Sequence, residues 1–419
     1  MTDIVARQQQ RKNLARTGPA AVAMTTRTSY RDIFLLACCQ ALLLVNNAGL
    51  IAMNGLVGYA LVDDKALATT GVTTFVLGSA LAAMPAALWM AKVGRRRGFM
   101  TGSIVAVFGS AICALALALS SFALFCVGTA IIGVYTAFGL QYRFAAAEVA
   151  APEFKAKAIS LVLAGGIVGG FLGPETSRWS KDLLPVPFLG SFIVLAAIAL
   201  IALAVQSRVR VPAPTLATGG GGRPLSEIAR SPVFMVAVLS AALGYGVMNL
   251  LMTATPLAMS FCGYPFAAAA FVIEWHVVGM YAPGFVTGSL IQRFGALRVI
   301  VAGTLLMAAC AGVALADNRI GHFWAALVLL GVGWNLMYTG GTALLTEAYA
   351  PAEKAKTQGL NDLTVFAVMG ISSFSSGALI DAAGWERMNT LTLPFVAVVM
   401  LAALWLFAIR RRGASGVRV

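Results

Sequence analysis

One acidic residue, Glu274, stands well inside a long apolar stretch, in the sequence Phe271-Val-Ile-Glu274-Trp-His276. A charged group within a bilayer is costly, so such a residue marks a functional site by default. We interpret Glu274 as a group that binds and releases a proton or cation; the alternative is a structural Glu lining a crevice. On a helix, His276 points roughly 200° away from it. His276 therefore either replaces Glu274 in a cavity or forms an interhelical hydrogen bond.

Neutral polar and aromatic side chains recur at helical spacing in other apolar stretches. Tyr245, Asn249 and Thr253 follow each other at every fourth position and share one helical face. A few polar groups among aromatic walls are typical of a small-molecule pocket, and helix–helix contacts are the alternative. The residues predicted to contact a solute are Asn46, Asn47, Tyr135, Tyr142, Tyr245, Asn249, Thr253, Trp334, Asn335 and Tyr338.

The elements that carry these residues are long and apolar. The chain is 59% hydrophobic and only 11% charged, too few charges to cover the surface of a soluble protein. We find twelve apolar runs, each near the roughly 20 residues that span a bilayer. Without water to satisfy the backbone, each run must be a helix, and the alternating pattern of a β-barrel does not occur. The sequence predicts an all-α membrane protein.

The chain contains an internal duplication. The segment 151–157 (APEFKAK) recurs as 350–356 (APAEKAK), 199 residues later, and a Glu stands four residues before the Pro of each copy. Together with a Gly- and Pro-rich segment at 207–231, this predicts two six-helix bundles at 31–206 and 232–409. The ends, 1–30 and 410–419, are predicted tails, and Met24 is an alternative start to Met1.

Basic residues predict the orientation. If both termini are cytoplasmic, 25 of the 30 Lys and Arg lie on the inner side. Membrane orientation thus explains the net charge of +14, and we expect no nucleic-acid partner. Neither the two histidines nor the six cysteines show metal-ligand spacing, and no Gly-x-x-x-x-Gly-Lys motif indicates ATP. We expect no cofactor, no metal and no enzymatic activity.

Two turns carry a family resemblance. Residues 87–97 and 288–298, with Gly94-Arg95-Arg96-Arg97 in the first and Gly295 in the second, resemble the Gly-x-x-x-Asp-x-x-Gly-Arg signature of the major facilitator superfamily. The Asp of this signature is replaced by Ala91 and Gln292. Residues 165–175 resemble part of that superfamily's antiporter signature, although Ser177-Arg178 replaces its final glycines.

The resemblance implies two pseudo-symmetric bundles of six transmembrane helices that expose a central site alternately to either side, and a chain that acts as a monomer among membrane lipids. In that superfamily the signature Asp supplies a charge lock, and this chain lacks the Asp in both copies. The residues that we predict to gate such a site are Gly94, Arg95, Arg96, Arg97, Arg143, Glu148, Gly295, Arg298, Glu347 and Asp362.

Segments 244–259 and 274–280 resemble a bacterial branch associated with riboflavin uptake. This implies a multi-pass protein of the bacterial inner membrane that moves a small neutral or weakly charged heteroaromatic solute, with or without protons. A proton-coupled exporter of drugs or metabolites is the alternative from the same superfamily. A membrane sensor is a third reading, but neither the tail nor the linker is long enough for a signalling domain.

Overall fold

The computed structural model describes residues 28–63, 67, 70–212 and 222–415. Met24, most of the predicted N-terminal tail, residues 213–221 of the linker and the last four residues lie outside the described residues. In the described part the protein is all-helical, and eleven helices are long and apolar enough to cross a membrane. The last of these runs over 62 residues and holds two spans, because Gly384, with φ of 74°, breaks it. We label the twelve spans α1 to α12.

The first six spans form the N-terminal half. α4 continues after a short break at residues 140–141, and α5 bends at Gly165. Their bounds are Tyr30–Leu61 (α1), Thr70–Val93 (α2), Arg95–Ala118 (α3), Phe122–Gly139 with Tyr142–Glu148 (α4), Lys155–Ala164 with Gly166–Ser180 (α5) and Leu189–Gln206 (α6).

The last six spans form the C-terminal half. A short linker helix, Leu225–Ala229, precedes them, and α12 continues to Ser415, beyond the predicted end at residue 409. Their bounds are Pro232–Phe261 (α7), Phe266–Tyr281 with Gly284–Phe294 (α8), Ala296–Ala316 (α9), Ile320–Leu345 (α10), and residues 354–383 (α11) and 385–415 (α12) within Lys354–Ser415.

The duplication in sequence is a duplication in local structure. Both copies of the repeated segment form a 3₁₀ turn, Pro152–Phe154 and Pro351–Glu353, that leads into a helix. The turns between α2 and α3 and between α8 and α9 contain Gly94 and Gly295, with φ of 88° and 83°. A residue with a Cβ is strained at such a φ, so glycine permits both turns. The repeat therefore marks equivalent positions in the two halves.

The two halves meet along two helix pairs. α2 packs against α11, and the part of α5 that follows the repeat packs against the end of α8. At the second contact the backbones lie very close: a Cβ at Gly288 would stand 2.4 Å from the Cα of Lys157. Small residues allow such an approach. We call the face of the membrane that carries the repeats and the linker the linker side; the halves are in close contact there.

Candidate functional site

An aromatic cluster lies between the halves, about midway along its helices. Trp334 and Tyr338, one turn apart on α10, stack with ring centroids 5.0 Å apart and planes 14° apart. Tyr245 of α7 meets both rings edge-on, at 5.4 and 5.6 Å. Tyr281 of α8 meets Trp334 at 5.8 Å. Because Tyr245 is only half-buried, the cluster offers an accessible ring to a flat ligand.

A buried ion pair joins the halves below this cluster, toward the linker side. Arg143 of α4 binds the carboxylate of Asp362 on α11, and both side chains are 1% exposed. The guanidinium is stacked between the rings of Phe144 and Tyr338, at 4.7 and 4.5 Å. Gln141 of the N-terminal half also donates to Asp362, at 2.6 Å. These contacts satisfy the carboxylate from both halves, as a buried charge requires.

A second polar layer lies nearer the membrane surface, and we call it the linker-side network. Arg95 forms a 2.7 Å ion pair with Glu148 of its own half and donates to Gln358 of α11 at 2.6 Å. Glu148 also binds Lys354 across the halves at 2.9 Å. Arg95 further donates to Gln141 at 2.8 Å, which connects this layer to the buried pair. Two layers of charge-assisted hydrogen bonds therefore close the linker side.

Accessibility increases on the other side of the aromatic cluster. Along one face of α7, Tyr245 and Asn249 are half-buried and Thr253 is exposed. Asn249 donates to Ser372 of α11 at 3.1 Å. On α8, Glu274 is exposed and lies two turns beyond Tyr281 on the same face. We infer a vestibule above the cluster that opens away from the linker side.

Several predicted contact residues lie elsewhere. Tyr142 packs against Phe99 at 4.6 Å and accepts a hydrogen bond from Gln206 of α6 at 2.7 Å, inside the N-terminal half. Tyr135 belongs to the same core, and Asn46 donates to Leu195 of α6. These three residues hold helices of one half together, because a polar side chain on a membrane helix serves as glue as readily as it lines a cavity.

Asn335 and His276 also connect neighbouring helices. Asn335 accepts from Thr287 and donates to the carbonyl of Met280, both at 2.7 Å. The Nδ1 atom of fully buried His276 lies 2.7 Å from the carbonyl oxygen of Leu327 on α10. Of the two alternatives predicted for His276, its contacts therefore agree with the interhelical hydrogen bond. Asn47 accepts a hydrogen bond from Thr136 at 3.1 Å. It lies three residues after Leu44, which packs against the core of the C-terminal half.

Some of the predicted gating residues lie where the halves meet, and others do not. Arg95, Arg143, Glu148 and Asp362 lie at the contact between the halves. Gly94 lies in the turn between α2 and α3, and Arg96 and Arg97 are exposed.

The second half does not repeat the network. The residue after Gly295 is Ala296 where the first half has Arg95, so Glu347 instead pairs with Arg410 of α12 at 2.8 Å. Arg298 stacks on Phe407 of the same helix. The prediction that Glu347 and Arg298 gate the site does not agree with these contacts, because they stay within one half.

Sequence reasoning missed Tyr281, Lys354 and Gln358. Lys354 belongs to the second repeat, and the sequence shows that it is equivalent to Lys155. The sequence does not show that Lys354 pairs with Glu148 across the halves. Within the described residues, no group of three or more His, Cys, Asp or Glu side chains could hold a metal ion.

Known proteins resemble the chain in sequence and in structure. It matches the Major Facilitator Superfamily over residues 36–282 and 276–418. It is 41% identical, over 90% of its length and 96% of the relative's, to the riboflavin transporter RfnT of Brucella anthropi. It is 30% identical, over 78% of its length and 79% of the relative's, to the uncharacterized MFS-type transporter YddS of Bacillus subtilis.

Among solved structures, the E. coli fucose:proton symporter FucP superimposes with a TM-score of 0.76 at 19% identity, covering 90% of this chain and 99% of that one. The proton:xylose symporter XylE gives 0.74 at 16%, covering 90% and 95%. These likenesses confirm the predicted fold and the resemblance to the riboflavin-uptake branch. The chain is a multi-pass membrane transporter, not an enzyme, and it belongs to the major facilitator superfamily.

Proposed function

We propose that this protein imports riboflavin across the bacterial inner membrane by alternating access. One observation carries the proposal: an aromatic cluster stands above a buried ion pair between the halves, in a chain 41% identical to a protein named as a riboflavin transporter. Riboflavin has a flat heteroaromatic ring, which stacks well on aromatic side chains. Its tail carries hydroxyl groups, which suit amide and hydroxyl side chains.

Unpaired donors support a defined orientation of the solute. Trp334 Nε1, Tyr338 Oη, and Nε and Nη1 of Arg143 are buried and have no hydrogen-bond partner among the described residues. Unpaired buried donors are costly, and a ligand rich in acceptors relieves that cost. The ring carbonyls and imine nitrogens of riboflavin are acceptors. We therefore orient its ring toward Arg143 and its hydroxylated tail toward Asn249 and Thr253.

The pairing of Arg143 disfavours an anionic solute. Arg143, the cation beside the cluster, is already paired with Asp362 and stacked between two rings. A phosphate group would need an unpaired cation to replace its hydration. The proposed substrate is thus the neutral flavin rather than its phosphate ester.

The linker side is the cytoplasmic side in this proposal, in keeping with the excess of basic residues there. The state described here is closed toward the cytoplasm by the linker-side network and the Arg143–Asp362 pair. Import requires both layers to open once solute is bound. Since each chain holds its own pathway, we propose that it acts as a monomer.

Uptake of labelled riboflavin tests the proposal. Bacterial cells that lack other flavin carriers should accumulate riboflavin when they express this protein, and unlabelled riboflavin should compete while its phosphate ester should not. Collapse of the proton gradient by an uncoupler reports whether protons drive the accumulation. Uptake no greater than in empty-vector cells would contradict the proposal. Resistance of the same cells to dyes or antibiotics would then favour the efflux alternative.

Replacing Glu274 by Gln tests proton coupling. Glu274 is an exposed carboxyl on the vestibule face of α8, where a proton from outside has access. If it carries the coupled proton, the variant should still equilibrate riboflavin across the membrane but should lose gradient-driven accumulation. Asp182, an exposed acid after α5, is the matched control as Asp182→Asn. An unchanged dependence of uptake on pH in Glu274→Gln would remove Glu274 from the coupling step.

A further inference from the structure

The linker before α7 is anchored to the second repeat through Arg223. Its guanidinium donates to both carboxylate oxygens of Glu353, from Nε at 3.0 Å and from Nη2 at 2.7 Å. Its backbone N–H donates to Glu353 at 2.7 Å, and Nη2 also donates to the carbonyl of Ala348 at 2.9 Å. Lys356 donates to the carbonyl of Arg223. One linker residue thus makes five hydrogen bonds to a nine-residue stretch, and we call this contact the linker anchor.

The equivalent position of the first half has a different contact. In the aligned repeats, Glu353 corresponds to Phe154. Phe154 packs edge-on against Tyr30, at the start of α1, with centroids 5.4 Å apart. The chain entering each half therefore docks on the same repeat position, through an apolar contact in the first half and through an ionic one in the second. The bidentate ion pair is an addition to the second half rather than a requirement of the fold.

The anchor lies beside the linker-side network. Glu353 is followed directly by Lys354, which binds Glu148 of the other half, and one turn later by Gln358, which accepts from Arg95. The side chain of Glu353 is 4% exposed and also accepts from the backbone N–H of Ala350, so it fixes the start of α11. The start of α11 thus contacts the linker through Glu353 and the opposite half through Lys354 and Gln358.

The first part of the linker is held by the other half. The backbone N–H of Arg210 donates to Asp32 of α1 at 2.9 Å, and Val209 is fully buried. Twelve residues separate Arg210 from Arg223. The two described ends of the linker are thus held by different halves, Arg210 by the N-terminal half and Arg223 by the C-terminal half.

We propose that Arg223 is a positioning residue for the cytoplasmic gate: it holds the first turn of α11 so that Lys354 and Gln358 meet Glu148 and Arg95. The contacts of these two residues across the halves belong to the state closed on the linker side. Loss of the anchor loosens this turn, weakens the two contacts across the halves and so favours the open state. The inference rests on the alternating access proposed above but not on the identity of the solute.

Distances between spin labels test this inference without any solute. Labels are placed on cysteines introduced at exposed Arg97 and Arg293, one in each half near the linker side, in a background without the native cysteines. Arg223→Gln should raise the ratio of long to short distances about fivefold, the change expected from losing roughly one net hydrogen bond. Arg223→Lys, which keeps the charge but not the bidentate geometry, should fall between Gln and the wild type.

Arg230→Gln is the matched control, because it removes an exposed arginine from the same linker. It should leave the distance distribution unchanged. Glu353→Gln removes the other partner of the anchor. If Arg223 and Glu353 act through one contact, the double variant Arg223→Gln with Glu353→Gln should differ little from either single variant. An unchanged distribution in Arg223→Gln, an equal shift in Arg230→Gln, or additive shifts in the double variant would each overturn the proposal. Riboflavin uptake by the wild type, measured separately, reports on the proposed substrate alone.

Discussion

Asp362→Asn is expected to abolish transport and to destabilise the protein by about 3–5 kcal/mol, the usual effect of removing one partner of a buried ion pair. The substitution leaves the guanidinium of Arg143 buried without a counter-ion, since both side chains are 1% exposed. Riboflavin uptake should fall at least about 100-fold, because a misplaced Arg143 alters both the gate and the proposed binding donors. The measurements are uptake in cells and the free energy of unfolding of the purified protein.

The double variant Arg143→Gln with Asp362→Asn separates stability from function. Removing both charges leaves two neutral amides that can bond to each other, so most of the lost stability should return. Transport should stay low, since the cross-half charge contact and the donors of Arg143 are gone. Glu175→Gln, in the exposed pair with Arg178, is the control and should cost less than about 1 kcal/mol. A single variant as stable as this control would contradict the role of the pair.

Tyr245→Ala is expected to weaken riboflavin binding by about 10- to 100-fold, the range that corresponds to the loss of one stacking contact. Tyr245 is the half-buried member of the aromatic cluster and lies edge-on to both Trp334 and Tyr338. Its truncation removes ring surface beside the vestibule while the other two rings still stack on each other. Quenching of flavin fluorescence, titrated with purified protein, measures the affinity.

Two further variants make the Tyr245 result specific. Tyr245→Phe keeps the ring and should bind within about threefold of the wild type, since the expected contact is stacking. Trp275→Ala removes an exposed aromatic side chain of α8 that contacts Trp324, outside the cluster, and should leave affinity unchanged. Wild-type affinity in Tyr245→Ala would place the ring of the solute elsewhere.

Some features of the site followed from spacing and others did not. Tyr245 and Asn249 share a face because they are four residues apart, and in the structure this face leads from the aromatic cluster to exposed positions. The same reasoning selected Tyr142 and Asn335, which the structure places in contacts within one half. Spacing shows which side chains point the same way on a helix, not which neighbour lies there.

Glu274 and Asp362 show that the position of a charged residue along a span does not predict its burial. Sequence reasoning placed Glu274 deep in a span and Asp362 near a helix start. In the structure Glu274 is exposed, whereas Asp362 is completely buried with Arg143, 219 residues away in sequence. Depth along a span follows from counting residues. Burial depends on how two bundles meet.

The sequence alone determined the twelve apolar spans, the duplication and the turns that need glycine, because bilayer thickness and backbone hydrogen bonding leave a segment of this length no alternative to a helix. The tertiary structure decided which helix faces meet between the halves, and with them the Arg143–Asp362 pair and the linker anchor. In a soluble protein a hydrophobic face points to the core, but lipid tails are as apolar as leucine side chains. Hydrophobic pattern therefore does not distinguish a face toward lipid from one toward another helix, and the contacts across the halves emerge only when both are folded together.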